Sequence, residues 1–113
     1  MTHISDSYQE IREEIYKVRI IDSHEHLFSE QQRLRSEVDV LATLFRLYAS
    51  SDLVSSGMTP EDLATVIDPA IPLEDRWRIF APFWENVKHT GYARVLDIAV
   101  RDLYGVDGIR EET

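Results

Sequence analysis

Apolar side chains recur at three- and four-residue spacing along most of this chain, and one short β-branched run interrupts them. Tyr8, Ile11, Ile15 and Val18 open the pattern, after Ser7 and Glu10 in the arrangement of a capping box. A helix is therefore expected from about Tyr8 to Lys17. Ile20-Ile21-Asp22-Ser23 then reads as a short strand, over about residues 20–24, and Leu27 to Arg35 as a polar loop. Ser36 with Asp39 starts the next helix, whose stripe is Val38, Leu41, Leu44, Phe45 and Tyr48. Ser51 to Val54 forms a further turn of helix closed by Gly57. Thr59 and Pro60 then restart the chain as N-cap and first helical residue. Ile67 to Pro72 breaks that helix. Leu73, Trp77, Phe80, Trp84 and Val87 share one face of a longer one, with a kink expected at Pro82. Thr90-Gly91 punctuates before a last stripe of Tyr92, Val95, Leu96, Ala99, Val100 and Leu103, closed by Tyr104-Gly105. The sequence holds no internal repeat and no flexible linker.

Length and composition narrow the class. The 113 residues suffice for one small domain, and 43% hydrophobic with 29% charged residues describes a globular chain. No apolar run approaches the roughly 20 residues that span a bilayer, and Met1 to Asp6 lacks the layout of a signal peptide. Cysteine is absent, which excludes disulfides and thiolate metal cages and fits a cytoplasmic location. Acidic residues outnumber basic ones by 21 to 12, giving a net charge of −9. Nucleic acid and anionic membrane surfaces are poor partners for such a chain. A small anionic substrate is not excluded, since one local arginine can dominate a pocket.

The chemistry concentrates in Asp22-Ser23-His24-Glu25-His26. On a strand, Asp22, His24 and His26 would share a face, with the two histidines about 6.6 Å apart at Cα. Both rings could then reach one cation at about 2.0–2.1 Å. Without a metal, the same pair reads as two solvated or hydrogen-bonded strand-end histidines. Asp22 would be a third group near the metal, or would orient a ligand, or would bond loop amides, and Glu25 would face away. His-Glu-x-x-His is not present. His24-x-His26 followed by Glu30 matches the ligand spacing of cupins, but those barrels need many strands and this pattern supplies helices. His89 is expected at a helix C-terminus, favourably placed in the dipole field, and His3 on the terminus. Arg33, Arg35 and Arg46 are candidates for a carboxylate but are ordinary on solvated faces. Trp77, Phe80, Phe83 and Trp84 read as core.

Ile20-Ile21-Asp22-Ser23-His24-Glu25-His26-Leu27 resembles the start of the amidohydrolase superfamily, whose members carry Asp-x-His-x-His or a close variant at the end of the first barrel strand. The helical stretch that follows looks like the helical insertion of the amidohydrolase-related branch that includes uronate isomerases. The resemblance implies an α/β fold, the N-terminal part of a (β/α)8 TIM barrel, with residues 36–105 as the insertion. It implies that His24 and His26 bind a divalent metal, zinc first among the choices. The activity implied is metal-dependent hydrolysis of a small-molecule substrate, or isomerisation of a sugar acid. A complete barrel needs about 250 residues, so residues 1–113 correspond to a fragment, inactive alone. The general base and remaining ligands are expected outside it, and no catalytic residue is nominated within it. Homo-oligomerisation stays open. The other class of reading is a helical interaction domain in which His-x-His is incidental.

Overall fold

Side-chain capping marks where four of the described helices of this protein start. The computed structural model describes residues 2–113, with side chains from residue 6 onward. It divides into two units, residues 1–34 and 35–113. The side chain of His3 lies outside the described residues.

In the first unit, helix α1 spans Thr2–Lys17. It begins well before Ser7, so the Ser7–Glu10 pair lies inside the helix and caps nothing at its start. The residues after it give the main correction to the sequence reading. The expected α/β class, with a first barrel strand over 20–24, is contradicted: the described residues form seven helices and no strand. Residues 19–29 have neither helical nor ladder structure. A β-branched run becomes a strand only when a neighbour accepts its backbone hydrogen bonds. No described segment does so, and Ile20 and Ile21 are left 81% and 84% exposed.

Helix α2, Glu30–Arg35, occupies part of the expected loop. Its start is a capping box that the sequence reading missed. The Ser29 N–H donates to Gln32 Oε1 at 3.1 Å, and the Gln32 N–H donates to Ser29 Oγ at 3.3 Å.

The second unit carries α3 (Val40–Phe45), α4 (Ala49–Ser55), α5 (Pro60–Val66), α6 (Leu73–Val87) and α7 (Gly91–Tyr104). Asp39, Thr59 and Thr90 are the N-caps of α3, α5 and α7, each accepting from the amide three residues on. Gly105 closes α7 at φ 69°, a left-handed conformation that costs glycine nothing. Pro82 lies within α6, and the helix continues past it.

Leu41, Phe45, Leu53, Met58, Val66 and Phe80 form the heart of the core. Three rings lock it: Phe45 to Phe80 at 4.7 Å, Phe45 to Trp84 at 5.7 Å, and Phe80 to Trp84 at 5.7 Å between centroids. Contacts of this kind contribute about 0.5–1.5 kcal/mol beyond area burial. The Trp84 indole N–H donates to the Ile109 carbonyl at 3.1 Å, which holds the segment after α7 against α6.

One charged side chain belongs to this core. Arg76 is 1% exposed, on the same face of α6 as Phe80 and Trp84. Its Nε donates to the Ile71 carbonyl at 2.8 Å, and its Nη1 to the Val66 carbonyl at 3.1 Å. Both terminal nitrogens also bond the Asp39 carboxylate. The start of α3, the end of α5 and the turn before α6 thus converge on one guanidinium.

Candidate metal centre

The His24–His26 pair sits on the extended segment between α1 and α2, with both side chains exposed. The backbone there is held locally. Asp22 Oδ1 accepts from the His24 N–H at 3.0 Å, a turn closed by an aspartate side chain two residues back. That turn replaces the alternation of a strand, and it changes which groups meet.

His24 Nε2 and His26 Nε2 lie 3.0 Å apart. Their rings meet edge to face, with centroids 4.8 Å apart and planes at 74°. The two nitrogens are within hydrogen-bond distance, the donor being set by the tautomer of each ring. The donor set suits a divalent ion: two imidazole nitrogens 3.0 Å apart are closer than twice the usual zinc–nitrogen bond of about 2.0–2.1 Å, so both can reach one ion.

Asp22 does not join them. Its carboxylate faces the Glu25 side chain, and the hydrogen bond from Glu25 is the main cause holding its pKa below the ordinary aspartate range, with the His24 amide adding to it. The Glu25 carboxyl is pushed up, first by that bond to Asp22 and then by desolvation, with the nearby His26 opposing the shift. The contact thus favours the ionised form of Asp22 and the protonated form of Glu25. Strand alternation, which put Asp22 with the histidines and Glu25 opposite, is corrected by this geometry. Among the described residues, no three His, Cys, Asp or Glu side chains converge as a metal site. Among the described residues, two candidate ligands come together, and no third.

The other candidates are dispersed. Glu30 starts α2, and Arg33 and Arg35 lie on that helix, exposed. Arg46 caps α3 and is likewise exposed. His89 follows Lys88, the C-cap of α6, as its spacing suggested. Arg76, the one buried arginine, was missed by the sequence reading. Its signal was available: residues 76, 80, 84 and 87 follow the same helical spacing as the aromatic stripe.

No helix among the described residues is long and apolar enough to cross a membrane. Comparison with protein families, with curated proteins and with solved structures finds no match to this chain.

Proposed function

We propose that the 20–28 segment contributes two ligands, His24 and His26, to the divalent metal centre of a cytoplasmic, metal-dependent hydrolase of the amidohydrolase type. The observation that carries this reading is the 3.0 Å approach of the two Nε2 atoms, achieved without a strand to align them. A second feature supports it. Val18, Ile20, Ile21, Leu27 and Phe28 flank the pair and are all exposed. An apolar run of this kind around two coordinating groups suits a segment that is covered when the remaining ligands are in place.

His24 and His26 would hold a divalent ion, zinc foremost, which would polarise a carbonyl or lower the pKa of a coordinated water. The Asp22 turn fixes the backbone of His24. The Asp22 carboxylate is engaged by the Glu25 side chain and the His24 amide. Catalytic zinc sites generally use three protein ligands, so this reading requires a third ligand and a general base besides the pair. The reading covers hydrolysis and sugar-acid isomerisation alike, with a small molecule as substrate.

A second reading has one observation in its favour. Tyr8, Ile11 and Ile15 form an exposed apolar stripe on α1, as a helical interaction module would present. Metal content separates the two. After zinc loading and desalting of the complete enzyme, elemental analysis should find His24→Ala and His26→Ala depleted of metal and slowed together, with His89→Ala unaffected. Full occupancy in both histidine variants contradicts the ligand assignment and leaves the interaction module.

A further inference from the structure

Helix α1 carries an apolar seam along one face. Tyr8, Ile11, Ile15 and Val18 follow one another at alternating three- and four-residue spacing, and each is between 60% and 65% exposed. The Val18 N–H donates to the Ile15 carbonyl at 3.0 Å, which carries the turn one residue past Lys17, where the helix ends. The spacing is that of a heptad, with Tyr8 and Ile15 at its a positions and Ile11 and Val18 at its d positions.

The surface of the helix has the matching relief. Glu10, Ile11, Glu14, Ile15 and Val18 line a shallow hollow. In a parallel coiled coil, a side chain at position a enters a hole framed by neighbouring a, d and g residues of the facing helix. Here those residues are Ile15, Ile11, Val18 and Glu14, so the hollow is shaped to take Ile15 of a second α1.

The charges beside the seam choose its direction. Arg12 and Arg19 fall at e positions and Glu14 at g. Glu14 bonds Lys17 within its own helix, and in a parallel pair it also faces Arg19 of the second copy. In the antiparallel pairing that matches the same apolar layers, Arg12 meets Arg12 and Glu14 meets Glu14. Charges at e and g set orientation in this way.

We infer that α1 joins two copies of this chain in parallel, seam to seam, with Glu14 of each facing Arg19 of the other. The partner of the exposed stripe is then a second copy, and the pairing needs no metal. A seam of this length gives a weak, reversible dimer.

Sedimentation equilibrium of the 113-residue chain in EDTA tests the pairing. The apparent mass should rise from one chain towards two between low micromolar and near-millimolar concentration, and Ile15→Asp should abolish the rise. Glu14→Arg and Arg19→Glu should each weaken self-association about tenfold, because exposed attractions become repulsions. An equimolar mixture of those two variants should recover association, which also certifies both folds. The sequence holds no cysteine, so Val18→Cys reports direction alone. In a redox buffer it should cross-link to itself, since a parallel seam sets Val18 against Val18. The inference is overturned by a monomer at every concentration, by association that survives Ile15→Asp, by no recovery in the mixture, or by Val18→Cys that cross-links only with Tyr8→Cys. With EDTA present, none of these outcomes bears on His24 and His26 as ligands.

Discussion

Arg76 and Asp39 form a two-pronged ion pair across 37 residues of sequence, with the guanidinium in the core and the carboxylate doubling as the N-cap of α3. The pair joins helix initiation to tertiary packing. Its stabilising value lies in completeness: the Arg76 side chain spends its donors on Asp39, Ile71 and Val66. Removing one partner leaves the other uncompensated.

Asp39→Ala should therefore cost about 3–5 kcal/mol, because it strands a buried cation and uncaps α3 together. Arg76→Met should cost less, since Asp39 is partly exposed and can turn to water. Urea unfolding followed by tryptophan fluorescence checks both the size and the order.

The same pair predicts an acid limit. Hydrogen bonds from Arg76, and then from the Ala42 amide, hold the Asp39 carboxyl below its ordinary pKa, against the opposing effect of burial. A group whose folded pKa is depressed stabilises the fold above its unfolded value of about 3.9. That contribution is lost as pH falls through the lower folded value. The unfolding free energy of the wild type should drop across this window, and Asp39→Asn should flatten that part of the profile.

Gly105→Ala should destabilise the second unit by about 1 kcal/mol, by forcing a side chain into the left-handed C-cap. No atom within 4 Å would meet the new Cβ, so the cost is one of backbone conformation alone. Gly105→Asn, which tolerates this region better, should cost less. Thermal unfolding of both variants measures the difference.

Ile20 and Ile21 should make the chain bind a hydrophobic dye. Replacing both by threonine should lower the dye signal while leaving the circular dichroism unchanged, because neither residue lies in a helix. Unaltered dye binding would place the exposed surface elsewhere.

The parts of this fold that could be read in the sequence are those fixed by a few adjacent residues. Thr59-Pro60, Thr90 and Gly105 each mark a helix boundary with their own side chain or backbone, and they stand where the spacing puts them. The run Ile20 to Ser23 was misread because a strand is defined by a partner, and β-branching says only that one would fit. Ser29 and Gln32 formed a legible capping box inside a stretch dismissed as polar loop. Arg76 was hidden by its charge, although its place on the aromatic face of α6 was visible. At the candidate site the two histidines could be named but not their approach. That approach follows from the Asp22 turn, which strand alternation does not contain.

The central claim is that His24 and His26 act as one chelating pair, and an NMR titration of the 113-residue chain with Zn²⁺ tests it most directly. Long-range ¹H–¹⁵N spectra report each ring nitrogen separately. Both Nε2 resonances should move together and saturate at one ion per chain, with His89 unmoved. His24→Ala or His26→Ala should each weaken binding by at least about tenfold, the order of effect of losing a ligand or its support. If His24 and His26 respond no more than His89, or if either single variant binds as the wild type does, the pair is incidental and the metal-dependent reading falls with it.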